Sequence, residues 1–206
     1  MCKNINYIGG RRSDLFAVKS IFNYKNSKNF TDNRINQIFY GRGYFALKAI
    51  FQALLKKNNK IILHCPTYNC WETLKLSLLS LQNISVKKYN SPEELKNNQI
   101  EGNNYLNCVL IIDYFGISDY EIYLKEIKDT SISIFDLAHT FPTNELILNL
   151  TSRCNYVFTS LRKFLPVPDG SLIFTKSNQI NSISPKKSTS LTWKILSVSS
   201  YFKTVD

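Results

Sequence analysis

The stretch from Leu106 to Gly116, LNCVLIIDYFG, is the most hydrophobic in the chain and shows no polar alternation. A run of that kind reads as a strand buried on both faces, at the centre of a sheet. The same rhythm repeats on either side of it. KIILHC (60–65), ISVKKY (84–89), SISIFD (131–136), NYVFTS (155–160) and GSLIFT (170–175) have strand character. Between them lie segments with helical spacing or helix-start signals. Residues 43–57 carry Phe45, Ile50, Phe51 and Leu54 at helical intervals, and WETLKLSLLSL (71–81) is amphipathic. SPEELKNN has Ser91 as cap, Pro92 in the first turn and Glu94 completing a capping box. SDYEIYLKEIKD repeats that signature with Ser118 and Glu121. Strands alternating with helices predict a three-layer α/β/α fold with a mostly parallel sheet.

The outer segments are different in character. Residues 12–22, RSDLFAVKSIF, predict a helix within an N-terminal arm (1–34). Residues 35–175 make the main domain. From 176 the chain turns polar, KSNQINSISPKKSTS, before one further candidate helix at 191–202. A tail of 176–206 is too short for a second domain.

With 44% hydrophobic and 13% aromatic residues among 206, the chain can bury a sizeable core. No apolar run reaches the roughly 18–20 residues that span a bilayer. The first residues lack the apolar centre of a signal peptide, so a cytoplasmic protein without a membrane partner is expected. Five cysteines, Cys2, Cys65, Cys70, Cys108 and Cys154, are an odd set in mostly apolar surroundings. They read as reduced thiols rather than a disulfide framework. A zinc site from His64, Cys65, Cys70 and His139 would need a spacing unlike the usual knuckles, and no metal is expected. The net charge of +11 invites a nucleic-acid partner. The lysines are scattered, however, and the joint richness in Asn, Ile and Lys looks like compositional bias. No nucleic-acid partner is expected.

In open α/β sheets, ligands gather at the carboxyl ends of the strands. The residues at those ends are Pro66 to Trp71, Asp113 to Gly116, Asp136 with His139, and Ser160 to Lys163. The turn FYGRGYFAL adds Gly41, Arg42 and Gly43 at a helix start, where free amides and the helix dipole suit a phosphate. Together these groups would hold a phosphorylated aromatic ring bearing an aldehyde. Ser160 and the helix start take the phosphate, Asp136 pairs with a protonated ring nitrogen, and Lys163 forms an imine. Pyridoxal phosphate chemistry needs such an aspartate because the protonated pyridine takes up carbanion charge. It needs a lysine because only an amine forms the imine.

GRGYFALKAI, PTYNCWETL, DYFG, IFDLAH and SLRKFLPVPDG stand in the order, and at about the spacing, of one known group. Over roughly residues 35–175 the chain resembles the DegT/DnrJ/StrS-like sugar aminotransferases, pyridoxal phosphate enzymes of fold type I. The resemblance implies that Asp136 contacts the pyridine nitrogen and that His139 lies near the phenolic oxygen. It implies phosphate contact from Ser160, and makes Lys163 the catalytic lysine that bonds to the cofactor. Two departures stand out. The phosphate turn is Gly41-Arg42-Gly43-Tyr44 rather than a Gly-Thr or Gly-Ser pair. The position of the ring-stacking aromatic is Cys70, with Tyr68 or Trp71 as substitutes. The implied function is transfer of an amino group from an amino-acid donor to a nucleotide-linked keto sugar, in cell-surface polysaccharide biosynthesis, by a homodimer. The family's chains carry a C-terminal small domain and this one stops at Asp206. The alternative is therefore a truncated or non-catalytic relative that keeps the pyridoxal phosphate-binding fold.

Overall fold

Apolar strands with no polar face must be covered on both sides, and the sheet is. The computed structural model describes residues 35–99, 105–164 and 170–176; the helices expected at 12–22 and 191–202 lie outside the described residues. The elements run β1 (Asn36–Tyr40), α1 (Gly43–Leu55), β2 (Ile61–Pro66), α2 (Trp71–Leu78), β3 (Ile84–Tyr89), α3 (Pro92–Asn98) and β4 (Leu106–Ile112). They continue with α4 (Tyr120–Leu124), β5 (Ile132–Asp136), α5 (Asn144–Arg153), β6 (Tyr156–Ser160), a 3₁₀ turn (Leu161–Lys163) and β7 (Ser171–Thr175). The strands form one seven-stranded sheet in the order β1-β7-β6-β5-β4-β2-β3. Only β7 runs against its neighbours, antiparallel to both β1 and β6. The three-layer α/β/α expectation with a mostly parallel sheet therefore holds.

Alternate residues of each central strand enter opposite cores. Cys108, Leu110 and Ile112 pack with Phe51, Leu54 and Leu74 beneath α1 and α2. Val109 and Ile111 pack with Leu95, Ile147 and Leu150 beneath α3 and α5. This period of two, filled on both faces, is what the unbroken apolar run at 106–112 encodes.

Several boundaries differ from the sequence expectation. α1 ends at Leu55, and α2 ends at Leu78 because Leu79 is extended and Ser80 takes φ 68°. Ser91 caps α3 as expected, accepting from the Glu94 amide at 3.1 Å. Glu94 reaches back to the amide of Asn90, one residue earlier than a capping box requires, at 2.8 Å. The second capping signature fails. Asp119, not Ser118, precedes α4, and the Ser118 hydroxyl accepts from the Tyr114 amide at 2.7 Å, closing the turn after β4. Glu121 instead pairs with Arg153 of α5. Sequence reading also missed β1, which is only five residues long and runs straight into the Gly41 turn, and α5. The latter's signal was present: Thr143 caps it by accepting from Leu146 at 3.2 Å, and Ile147 and Leu150 face the core.

Consecutive strands β2 and β3 step outward, and the chain then returns across β2 to β4. That reversal opens a crevice at the carboxyl ends of the parallel strands, where such folds place ligands. Among the described residues no helix is long and apolar enough to cross a membrane.

Candidate active site

β5 ends at Asp136, and β6 ends at Ser160 and runs straight into the turn carrying Lys163. Because β5 and β6 are parallel neighbours, with Asp136 opposite Phe158, the two ends emerge side by side. The Lys163 amine lies 2.9 Å from Nε2 of His139. Asp136 accepts the Ala138 amide on Oδ1 at 2.6 Å, which fixes its carboxylate over the same edge.

These groups bear on one another electrically. Burial pushes the Asp136 carboxyl up to about 6, against the opposing pull of the Ala138 amide and the Lys163 charge. Burial also lowers the Lys163 pKa. Asp136 works against that shift, while Arg162 adds to it. His139 is lowered by burial and then by Lys163. An amine with a depressed pKa, a neutral imidazole on it and a carboxylate nearby make a constellation suited to attack on a carbonyl and to proton transfer.

The second half of the site is a backbone cradle. α1, a helix of 13 residues, begins at Gly43, and a Cβ built there would come 3.8 Å from the Phe158 ring. Phe158 and Ser160 share a strand face, so the helix start lies over the end of β6. The amides of Gly43 and Tyr44 precede the first intrahelical bonds, which Phe45 and Ala46 make to the Arg42 carbonyl at 3.0 and 3.2 Å. A Cβ built at Gly41 meets nothing within 4 Å, so the turn leaves open space beside it. Ser160 is buried, and its hydroxyl makes no capping bond to the turn that follows. Arg42 is exposed in extended conformation ahead of the helix.

Gly170 ties the two halves together. Its amide donates to the Gly41 carbonyl at 2.7 Å, and its carbonyl accepts from Leu161, at the head of the lysine turn, at 2.9 Å. The residue adopts φ 135°, and an added Cβ would sit 3.3 Å from Leu161. Gly170→Ala should therefore destabilise the protein by about 1–3 kcal/mol, the usual cost of such a conformation. Thermal unfolding of the variant measures it.

Cys70 precedes α2, exposed, with Sγ 3.1 Å from Thr73 Oγ1 and within electrostatic reach of Lys163. Trp71 is otherwise engaged: its ring nitrogen donates to the Thr67 carbonyl at 3.2 Å, and Lys88 lies 4.4 Å over its ring. Tyr68 is exposed and tilted against Tyr114, whose hydroxyl donates to the Tyr68 carbonyl. Sequence reading placed Asp113 to Gly116 at a strand end where ligands gather and gave Phe115 no role of its own. The structure sets Phe115 edge-on to His139 at 4.9 Å. The only sequence signal was an aromatic before Gly116 at a strand end.

His64 and Cys65, neighbours on one strand, point to opposite sides of the sheet. His64 Nε2 meets Asn107 at 2.9 Å, whereas Cys65 lies in the core beneath α1. They cannot share a metal ion with Cys70 and His139, and no cluster of three candidate ligands occurs among the described residues.

No family model matches the chain, and no curated protein sequence matches it. Solved structures do match its fold. A variant described as "SPT with PLP" superposes with TM-score 0.58 at 11% identity, over 82% of this chain and 43% of its own. Serine palmitoyltransferase from Sphingomonas wittichii gives 0.55 at 10% identity, over 80% and 42%. An archaeal O-phosphoseryl-tRNA(Sec) selenium transferase gives 0.53 at 17%, over 75% and 41%. The chain thus spans less than half the length of these structures. At such identities the shared property is the fold, and the sheet described above has the α/β architecture of pyridoxal phosphate enzymes of fold type I.

Proposed function

We propose that the chain is the cofactor-binding part of a pyridoxal phosphate-dependent transferase. In its most specific form, it is an aminotransferase that passes an amino group from an amino acid to a nucleotide-linked keto sugar. The observation carrying this reading is the convergence of the Lys163 amine, the His139 imidazole and the Asp136 carboxylate where β5 and β6 end. A neighbour of the same fold is described with PLP. The sugar, the amino donor, the role in polysaccharide synthesis and the homodimer rest on the sequence resemblance.

The residues present fit the cofactor. A doubly charged phosphate matches the open turn at Gly41, the first-turn amides of α1 and the Ser160 hydroxyl. A protonated ring nitrogen matches the Asp136 carboxylate. When bound, pyridoxal phosphate supplies an aldehyde for imine formation and a ring that withdraws electrons from the adjoining carbon. The chain's own contribution is positional and acid–base. Ser160 and the helix start anchor the phosphate. Asp136 keeps a proton on the ring nitrogen. Lys163 would bond to the aldehyde and, as a free amine, would serve as the base and acid that moves a proton between substrate carbons. His139, 2.9 Å from the amine, would orient it, and the resemblance puts His139 near the phenolic oxygen. Cys70 stands where a stacking aromatic is usual in the resembled family, and a thiol there would give a bound ring less contact on that side.

The test is spectroscopic. Protein mixed with pyridoxal phosphate should develop a visible imine band. Borohydride reduction followed by peptide mapping should place the label on Lys163. A label on another lysine, or none, removes the proposal. A band that fails to change when glutamate is added would mark a relative that holds the cofactor without turnover.

A further inference from the structure

Phe115 is an exposed phenylalanine in a conformation that suits glycine. Its φ is 62°, followed by Gly116 at 74°, and the residue is 65% exposed. Neither burial nor backbone preference explains it, because a bulky residue in the left-handed region costs free energy. The turn that imposes this conformation is well fastened. The Tyr114 amide donates to Ser118 at 2.7 Å, Ile117 donates to the Tyr114 carbonyl at 3.2 Å, and Asp113 donates to the Asp136 carbonyl at 3.1 Å. A Cβ on Gly116 would lie 3.6 Å from the Thr140 methyl, so the turn packs on the segment holding His139. What the conformation achieves is one contact: the Phe115 ring stands at 69° to the His139 ring, centroids 4.9 Å apart. That edge-to-face geometry is favourable between aromatic rings. His139 in turn holds the Lys163 amine at 2.9 Å.

We propose that Phe115 is a positioning residue: its ring fixes the His139 imidazole so that Nε2 holds the Lys163 amine in one orientation for reaction. The inference rests on the cofactor reading above for its purpose, but the contact chain from Phe115 through His139 to Lys163 belongs to the cofactor-free protein. Charged and titratable groups around the pair are Asp136 at the end of β5, Arg162 on the lysine's own turn and Cys70 before α2. Tyr114 bears on Asp136 from the β4 turn. None of these is removed when Phe115 is changed, so an effect of the substitution reports orientation rather than charge.

Three variants separate this role from a structural one. Phe115→Leu keeps an apolar side chain of similar bulk but has no ring edge. Imine formation with pyridoxal phosphate should slow about tenfold, as loss of an oriented amine requires, with the label still on Lys163. Phe115→Tyr should restore the rate. Phe115→Gly should slow it as Leu does while raising the melting temperature, because glycine relieves the backbone strain. A residue serving only the fold would lower the melting temperature when removed. In the cofactor-free wild-type protein, proton NMR should show cross-peaks between the His139 ring and the Lys163 side chain. Phe115→Leu should abolish them. Their persistence in that variant, or a wild-type loading rate in it, overturns the inference. If wild-type protein takes no label, the cofactor reading fails, and the NMR comparison still decides the positioning role.

Discussion

Lys163→Ala should yield a folded protein that takes no covalent pyridoxal phosphate and gives no visible imine band. The amine is only half-buried, and folding depresses its pKa through burial. A lysine whose folded pKa lies below its unfolded value contributes no stability from its charge, and its penalty disappears as pH rises toward 10.5. Removing it therefore leaves the fold intact. His139 loses its 2.9 Å partner but stays seated against Phe115. Function should not survive. Proton transfer by a positioned side chain contributes about 10²–10⁴-fold to rate, and the lost imine adds to that deficit. Circular dichroism with the borohydride-mapping assay checks both halves. A variant that still labels and transaminates would assign the chemistry to another lysine.

The second large effect has opposite signs for stability and function. The Asp136 carboxyl titrates at about 6 in the folded, cofactor-free protein, against an ordinary value of 3.8, with burial as the main cause. The folded state thus binds the proton more tightly than the unfolded chain. By linkage, stability falls as pH rises through the window from about 4 to about 6, and the ionised group then opposes folding at neutral pH. The shift of about two units corresponds to up to about 3 kcal/mol. Asp136→Asn keeps an oxygen for the Ala138 amide and removes the charge. The cofactor-free variant should be more stable than wild type at pH 7, by up to that amount, and equal to it below pH 4. Cofactor retention should move the other way. A charge-assisted hydrogen bond to the ring nitrogen contributes about 1.5–3 kcal/mol, so the asparagine variant should hold pyridoxal phosphate roughly 10–100-fold more weakly. Urea unfolding across pH, paired with cofactor titration, measures both. Wild-type affinity in the variant would show that Asp136 does not face the ring nitrogen.

The architecture was legible because burial on both faces of a parallel sheet leaves an unmistakable trace. Apolar runs such as Leu106–Ile112 have no polar side, and helical segments separate them. The residues bearing the chemistry were legible for a related reason. Strand ends in such a fold collect ligands, and Asp136, Ser160 and Lys163 stand at strand ends in the sequence itself. Local signals misled where a non-local partner outbid them. Ser118 and Glu121 spell a helix start, yet the serine closes a turn and the glutamate pairs with Arg153, 32 positions away. β1 is only five residues long, opens with the polar Asn36 and Gln37, and pairs along its whole length with β7.

What the tertiary structure alone decided is how separated residues meet. Gly170 joins the Gly41 turn to the lysine turn through two backbone bonds that no composition or spacing encodes. Cys70 comes within electrostatic reach of Lys163 across 93 positions because β2 and β6 end on the same edge of the sheet. Phe115 reaches His139 because two loops from adjacent parallel strands pack side by side, bringing together positions 24 apart. The sequence determined which groups stand at strand ends, since that follows from local apolar pattern. Strand order and loop packing, set by long-range burial, determined which of those groups touch.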